Sequence, residues 1–495
     1  MSLKVKPLLL ALAIILAIII ALGFAVLTLS KDSETWTLED YKSQEIKWRD
    51  CYDGYQCTSF KVPVDYEKVD NKSFSLKVLR HSALDQKNKL GAIVVNPGGP
   101  GGSATFYAYN AEYIMSSKIN RKYDIVGFDP RGVNESGEIR CLSDSEEDAF
   151  LNAEAGDGKA ASVAALVAIS KDFADKCAKA AGSKLRHYST LEAAKDMEIL
   201  RILLNEKKLN FLGKSYGTYL GTLYAALFPE SVGRIVLDGA VSPNVSTRDQ
   251  QLSQAIAFDK ALNNFLASQE RFKLVDIKNL LSQAATNPLK NQDGRVATQS
   301  TLITAIATTL YDSEGGWKDL KKMLDQAISK RDTKEIFKQA DEYNNRASDG
   351  TYYSNQTDVS IVITCLDWKE PRTVEEMTLD RKEFVKAAPV FGPYLNFAGL
   401  PCKYWKSEPQ LPPMPLKQLK TSPILVIGVT NDPATPYKWA QDLTKVFTNA
   451  KLLTLNGDGH TGHNQGNECI DSVVDSYFLT GKIASGPLIC AKSGT

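Results

Sequence analysis

The string FLGKSYGTYLG, at residues 211–221, puts a serine between two glycines in a setting that could support chemistry. Its central part, GKSYG, fits the G-x-S-x-G pattern, with an apolar run before it and an amphipathic run after it. In a turn between a strand and a helix, such a serine exposes its hydroxyl, and side chains in place of the glycines would collide with both elements. We therefore predict that Ser215 is a nucleophile.

A serine hydroxyl is a weak nucleophile at neutral pH, so it needs a neighbouring base. Among the four histidines, His81 lies in a strand-like run and His187 precedes a helix start. His460 instead follows a strand and lies in a glycine-rich loop, LNGDGHTGHNQGN. Such loops often carry catalytic groups. We predict that His460 is the base, with His463 as the alternative.

The base in turn needs an acidic group that fixes its tautomer and stabilises its positive charge. Hydrolases with this kind of serine turn run serine, acid, histidine along the chain. Asp432, in ILVIGVTNDPATP, lies just beyond an apolar strand and is held by prolines at 433 and 436, and we predict that it is the acid. The alternatives are Asp458, which is close to His460 in the chain, and Asp238, whose position is also typical of a loop anchor.

A glycine-rich turn, NPGGPGGSA at residues 96–104, follows another predicted strand. Backbone N–H groups in such a turn can stabilise the oxyanion of acyl transfer. We predict donors at Gly99 and at Tyr216, the residue after the nucleophile. The spacing of a phosphate-binding loop is missing, and no metal or organic cofactor is expected.

Short apolar runs and longer helical stretches alternate along the chain and must position these groups. This alternation predicts an α/β fold with a mostly parallel sheet flanked by helices. The clearest helix candidates are residues 192–206 and 216–228. The clearest strand candidates are GAIVVNP (91–97), YDIVGFDP (123–130), LNFLG (209–213), RIVLDG (234–239), PILVIGV (423–429) and KLLTLNG (451–457).

The alternation stops from about residue 241 to 418, where the sequence is polar and helical in period. We predict a helical insertion at 243–415 that divides one α/β core into the parts 31–242 and 416–495. A proline-rich stretch, SEPQLPPMPLKQL at 407–419, is typical of the linker back to the core.

The chain begins with two lysines and an uncharged, mostly aliphatic segment at residues 7–30. This pattern predicts export, and residues 1–30 fit a cleaved signal peptide and a retained membrane anchor equally well. The remainder of the chain would then lie outside the cytoplasm. Because Lys plus Arg (59) nearly balance Asp plus Glu (58), no nucleic-acid partner is expected, and membrane contact is expected only through this segment.

All eight cysteines lie beyond the apolar segment, which favours disulfides over the alternative of free buried thiols. They occur along the chain as four neighbouring couples. The predicted bridges are Cys51 with Cys57, Cys141 with Cys177, Cys365 with Cys402, and Cys469 with Cys490.

These motifs together resemble exported α/β-hydrolases of the tripeptidyl aminopeptidase group, within the prolyl-aminopeptidase-like serine peptidases secreted by actinobacteria. The resemblance covers nearly everything after the N-terminal segment. It includes IKWRDCYDGYQCTSFKVPVDY (46–66), NPGGPGGSA, GKSYGTYLG, CLDW (365–368), GVTNDPATP and GDGHT, whose histidine is His460. One departure is Asn96-Pro97, where the oxyanion turn of the family often begins with His-Gly.

The resemblance implies an α/β-hydrolase fold whose inserted helices form a lid over the serine, and removal of short peptides, tripeptides among them, from free N-termini. Acidic groups would then hold the substrate ammonium. The candidates are Asp367 and Glu370, in CLDWKEP, although both could be ordinary loop carboxylates. The alternative functions are a carboxylesterase or lipase with the same triad and a non-catalytic envelope binding protein.

Overall fold

The computed structural model describes residues 35–154, 156–408 and 414–492. The apolar segment at 7–30, predicted as a signal peptide or membrane anchor, lies outside these residues, and so does part of the proline-rich stretch. Within the described ranges, no helix combines the length and the apolar character needed to cross a bilayer.

Strands of the described residues form one large sheet and one small hairpin. The large sheet has the order β1-β2-β3-β5-β4-β6-β7-β10-β11-β12, and β8 pairs only with β9. The strands are β1 (Arg49–Tyr52), β2 (Tyr55–Pro63), β3 (Ser73–His81), β4 (Gly91–Asn96), β5 (Tyr123–Phe128), β6 (Leu209–Lys214), β7 (Val232–Asp238), β8 (Leu289–Lys290), β9 (Val296–Ala297), β10 (Ile424–Asn431), β11 (Ala450–Asp458) and β12 (Leu488–Ala491).

The six strands predicted from apolar runs are β4, β5, β6, β7, β10 and β11, which together form the parallel centre of the sheet. The predicted α/β fold with a mostly parallel sheet is therefore confirmed. The sequence showed β3 only as a strand-like run that contains His81, and it did not reveal β12 or the antiparallel strands β1 and β2. Because parallel strands end at the same edge, the loops after β4, β6, β7, β10 and β11 all meet there.

Successive strand residues point to opposite faces of the sheet, so apolar strands have two faces to bury, and helices cover both. Ile93 faces one apolar core and Val94 the other. The helices outside the insertion are α1 (Leu38–Ser43), α2 (Ala104–Tyr109), α3 (Ala111–Ile114), α4 (Ser117–Lys122), α5 (Asp144–Leu151), α6 (Ala160–Ala181), α7 (Thr190–Leu203), α8 (Tyr216–Leu227), α18 (Tyr437–Val446) and α19 (Glu468–Thr480).

Between β7 and β10 the chain forms helices around an apolar core of their own, which includes Leu262, Ile306 and Met323. The hairpin β8–β9 is an exception to the strand-free region that the sequence predicts. The helices are α9 (Thr247–Ala267), α10 (Leu274–Thr286), α11 (Gln299–Leu310), α12 (Gly315–Asp325), α13 (Lys334–Asn344), α14 (Gln356–Asp367), α15 (Val374–Ala387), α16 (Gly392–Leu395) and α17 (Leu400–Lys403).

Four disulfides link segments that are neighbours in the chain. They are Cys51–Cys57, Cys141–Cys177, Cys365–Cys402 and Cys469–Cys490, the same couples that the sequence predicts. Disulfides persist in oxidising compartments and are rare in the cytosol. The chain is therefore an exported protein.

A buried arginine after β5 joins three parts of the core that are distant in the sequence. The Arg131 guanidinium is fully buried and donates to both carboxylate oxygens of Asp196 in α7, at 2.6 and 2.7 Å. It also donates to the backbone carbonyls of Pro63, Val64 and His187. Every direction of its planar donor group is thus matched by an acceptor, which offsets the cost of burying the charge.

We expect Arg131→Met to lower the free energy of unfolding by about 3–5 kcal/mol, because Asp196 would be left buried without its cation. Urea denaturation measures this change. The double variant with Asp196→Asn should recover part of the loss. Lys438→Met, which removes an exposed ion pair within α18, is the matched control and should cost less than about 1 kcal/mol. Equal losses for Arg131→Met and Lys438→Met would contradict the role of the buried pair.

Candidate active site

Ser215 lies at the sharp turn between β6 and α8 and has φ 53° and ψ −125°. A non-glycine residue rarely adopts a positive φ, and such strain is typical of functional sites. The Ser215 N–H donates to the backbone oxygen of Asp238, at the end of β7, at 2.8 Å. The turn is thereby fixed against the neighbouring strand.

The glycines around this turn allow close backbone contacts. A Cβ atom on Gly217 would lie 2.8 Å from the side-chain oxygen of Asn96, and one on Gly98 would lie 2.9 Å from the Ser215 Cβ. Gly98 also has φ +101°, which side chains disfavour. Any larger residue at either position would push the glycine-rich turn away from the serine.

The glycine-rich turn presents backbone donors beside the serine. Asn96, which is buried, accepts the Gly98 N–H through its side-chain oxygen at 3.0 Å, so that N–H is occupied. The N–H groups of Gly99 and Tyr216 donate to no acceptor within the described residues. These are the two groups that the sequence predicts as oxyanion donors.

Asp432 and His460, from the loops after β10 and β11, form a direct pair. The His460 Nδ1 lies 2.9 and 3.0 Å from the two carboxylate oxygens of Asp432. A carboxylate at Nδ1 requires a proton on that nitrogen and leaves the Nε2 lone pair available as a base. Asp432 is buried and also accepts backbone N–H groups of Ala434 and Thr435, which hold it in place.

The hydroxyl of Thr435 completes the surroundings of this pair. It donates to the Asp432 Oδ2 at 3.0 Å and lies 3.4 Å from the His460 Nδ1. The carboxylate therefore keeps a fixed orientation towards the imidazole.

Ser215 and His460 approach the same short segment at the end of β7. The serine N–H bonds to Asp238, and the His460 Cε1 lies 3.2 Å from the position that a Cβ on Gly239 would take. No hydrogen bond joins the serine hydroxyl to the imidazole in the part of the chain that the structure describes. Such bonds are often long in unliganded enzymes and shorten when substrate binds.

Asp238, the alternative acid, holds the histidine loop. Its carboxylate oxygens accept the N–H groups of Gly462 and His463 at 2.8 and 2.9 Å. The Lys214 Nζ donates to the backbone oxygen of His463 at 2.7 Å and lies 3.9 Å from the Asp238 carboxylate. Burial raises the pKa of Asp238, which Lys214 and the two N–H donors oppose. Asp238 thus connects the serine turn to the loop that carries His460.

His463, the alternative base, has a different environment. It is buried, and burial next to Lys214 lowers the pKa of its imidazole to about 3. The ring is therefore neutral at physiological pH. No carboxylate accepts from its Nδ1, which has no partner among the described residues. The arrangement favours His460 over His463 as the base.

The inserted helices contact both loops of the acid–histidine pair. The backbone oxygen of Tyr311, directly after α11, accepts the His460 N–H at 2.8 Å, and the two rings are 5.1 Å apart. In α9, Gln254 donates to the backbone oxygen of Ala434, and Asn264 donates to Asp458 at 2.7 Å. Asp458, the other alternative acid, thus faces the insertion.

Asp367, predicted to bind the substrate amine, is buried at the end of α14. Its carboxylate accepts both the N–H and the hydroxyl of Thr190, and that hydroxyl also contacts the phenol of Tyr216. Burial raises the pKa of Asp367 to about 7. The side chain stabilises the start of α7 beneath the serine turn.

Glu370 is the second predicted amine-binding residue, and it is also engaged. Its carboxylate accepts from the Arg372 guanidinium at 2.8 and 3.0 Å, and its side chain is fully buried. An ammonium would have to compete with this cation. Glu370 thus already has a cation partner, whereas Asp367 accepts only from the neutral groups of Thr190, and amine binding at either position stays a prediction.

Several residues of the site were not anticipated from the sequence. Asn96 was noticed only as a departure from the His-Gly start of the related oxyanion turns, and its bond with the Gly98 N–H was not predicted. Thr435 lies three residues after Asp432, within the quoted string, but nothing in that string shows its bond to the acid. Lys214 and Tyr311 become recognisable only once the fold brings distant segments together.

Comparisons with known proteins give similarities over most of the chain. A family model described as TAP-like protein matches residues 388–490. The chain is 32% identical to the serine protease Hip1 of Mycobacterium tuberculosis, over 88% of this chain and 89% of that protein. It is 30% identical to a tripeptidyl aminopeptidase of Streptomyces lividans, over 91% and 87%. It is 34% identical to carboxylesterase B of Mycobacterium tuberculosis, over 88% and 86%.

We expect Asp238→Asn to lower kcat by about 10- to 100-fold with little change in KM, because the histidine loop loses one of its two bonds to the Asp238 carboxylate and shifts relative to Ser215. Steady-state kinetics on any cleaved substrate measures both constants. Asp471→Asn is the matched control, because Asp471 accepts a backbone N–H of the same loop at Asn464, farther from the imidazole. Unchanged kcat in Asp238→Asn, or an equal loss in both variants, would contradict the positioning role.

Proposed function

The chain belongs to the TAP-like family of serine hydrolases with the α/β-hydrolase fold, and from that membership we propose that it is an aminopeptidase that releases short peptides from free N-termini. The expected product is a tripeptide. Two of the three relatives described above carry peptidase names. The substrates are then peptides or proteins with an unblocked amino end.

The proposed reaction is acyl transfer without a metal or organic cofactor. Ser215 attacks the carbonyl carbon of the scissile peptide bond while His460 takes the hydroxyl proton. The imidazolium then gives that proton to the leaving amine, and Asp432 stabilises its charge. Water, activated by the same imidazole, hydrolyses the acyl-enzyme and regenerates the serine.

The N–H groups of Gly99 and Tyr216 stabilise the tetrahedral oxyanion in this proposal. Both lie in the segments that flank the serine, and neither is taken up by another acceptor of the described residues. Donors that are already oriented need no reorganisation when the charge develops.

One observation carries the proposal above the others: the direct bond between Asp432 and His460 at the sheet edge where Ser215 holds its strained conformation. Ser215, Asp432 and His460 follow three different strands, β6, β10 and β11, and these strands end at the same edge of the sheet. A structural cluster alone would not explain a positive φ at the serine.

We propose that the insertion, residues 243–415, acts as a lid on the two core parts 31–242 and 416–495. Its contacts with the His460 loop and with the glycine-rich turn support this role. Cleavage takes place outside the cytoplasm. The N-terminal segment would either release the enzyme after processing or hold it at the outer face of the membrane.

Carboxylesterase activity is the second candidate. It is favoured by the pairing of Glu370 with Arg372, with which an ammonium would have to compete, and by the similarity to a protein named carboxylesterase B. The same triad would serve both reactions. The difference would lie only in the groups that receive the substrate.

We expect Ser215→Ala to reduce kcat by at least about 10⁴-fold, because the nucleophile is removed while the fold is kept. The measurement combines hydrolysis of a tripeptidyl p-nitroanilide with labelling by a fluorophosphonate probe. Ser231→Ala, at the amino end of β7 and thus at the opposite edge of the sheet, is the matched control and should behave as wild type. Full activity or full labelling of Ser215→Ala would refute the assignment.

We expect N-terminal acetylation of a peptide substrate to lower kcat/KM roughly 100-fold or more, because a charge-assisted contact to the ammonium is lost. Matched peptides with free and acetylated ends, together with p-nitrophenyl butanoate, separate the two candidates. Equal rates on both peptides, with faster turnover of the ester, would contradict the aminopeptidase and favour the esterase.

A further inference from the structure

A large open groove, with a volume of about 1180 Å³, crosses the end of the antiparallel strands β1 to β3. Its walls come from these strands, from α2 and from the inserted residues just before α14. The volume exceeds that of pockets for single small molecules, which reach about 1,000 Å³. A groove of this size and openness suits an extended chain.

The inner end of the groove is formed by Gly101 and Ser103. Both belong to the glycine-rich turn whose Gly99 is a proposed oxyanion donor, two residues earlier in the chain. A Cβ on Gly101 would lie 2.6 Å from the Val359 side chain of α14, so the insertion closes tightly over this point. The groove therefore reaches the glycine-rich turn that carries Gly99.

The outer part of the groove carries an aromatic ledge, which consists of Tyr52, Phe106 and Tyr109. Tyr109 contacts the other two rings at 5.3 and 6.4 Å. Tyr52 is 58% and Phe106 68% exposed, and both line the groove. Large exposed aromatic groups cost free energy in water, and such ledges commonly bind apolar side chains of a partner.

The remaining walls are polar and nearly balanced in charge. Some ions are already paired, such as Lys77 with Glu135 at 2.9 Å and Arg140 with Glu138 at 2.8 Å. The hydroxyls of Thr58 and Ser59 line the same wall. This surface offers hydrogen bonds without a strong field, as a polypeptide backbone requires, and it would not favour a polyanion.

We propose that the groove binds the polypeptide chain that follows the scissile bond, with apolar side chains of that chain on the aromatic ledge. This inference rests on the proposed aminopeptidase function and names the part of the substrate that the groove receives. The released peptide is short, whereas the remaining chain is long and needs an open path. A groove that begins at the oxyanion turn and opens to solvent provides it.

A substrate-length series tests the proposal. The substrates are a tripeptidyl p-nitroanilide and peptides in which the same three residues are followed by one, two, four or eight further residues, several of them apolar. Mass spectrometry of the products gives kcat/KM for each peptide. We expect kcat/KM to rise about tenfold or more with length, because contacts in the groove add to those at the active site.

The double variant Tyr52→Ala, Phe106→Ala should reduce the ratio of kcat/KM for the longest peptide to that for the shortest by about tenfold. Both side chains are exposed, so the fold does not depend on them. Tyr113→Ala is the matched control, because Tyr113 is 79% exposed nearby in α3 but does not line the groove. Its ratio should equal that of wild type.

Each other outcome overturns the proposal. Peptide cleavage that does not speed up with length, or a length effect that survives in the double variant, would exclude the groove while the aminopeptidase function stands. Failure to cleave any of the peptides would refute the proposed function itself, and the groove inference with it. Inhibition by N-acetylglucosamine oligosaccharides that the double variant abolishes would assign the groove to a glycan instead.

Discussion

The geometry of the site depends on the hydrogen bonds of one buried residue, Asp238. Its backbone oxygen accepts the N–H of Ser215, and its carboxylate accepts two N–H groups of the loop that carries His460. Ser215 and the loop of His460, which are far apart in the sequence, are thus both held at the carboxyl end of β7. Lys214 partly compensates the charge, and two backbone donors complete its solvation, so burial is tolerated.

The insertion contributes to the same geometry from the other side. Tyr311 accepts the His460 N–H through its backbone oxygen, and Asn264 holds Asp458 in the same loop. The histidine loop therefore lies between the core strand β7 and the inserted helices. A displacement of the inserted helices would therefore also disturb the loop that carries His460.

The sequence predicted those parts of the molecule that depend on local patterns. The central parallel strands are short apolar runs, and Ser215, Asp432 and His460 each follow such a run. Strand β2 mixes polar and apolar residues and pairs antiparallel near the edge of the sheet, so its pattern is weaker. The partners of Asp367 and Glu370 could not be predicted: Thr190 is distant in the chain from Asp367, and nothing in the sequence shows that Arg372 pairs with Glu370.

The partners of Asp367 and Glu370 bear on specificity as well. A free ammonium loses hydration when it enters a closed site, and only acceptors that are not already engaged can repay that cost. The relatives named as peptidases and as an esterase are similar to this chain to nearly the same degree, so overall identity does not separate the two chemistries. The distinction depends on which acceptors meet the substrate amine, because backbone oxygens and phenol groups are weaker partners for an ammonium than a carboxylate. An acyl ester needs no such acceptor. The response to a blocked N-terminus is therefore the property that most directly distinguishes a site for peptides from a site for esters.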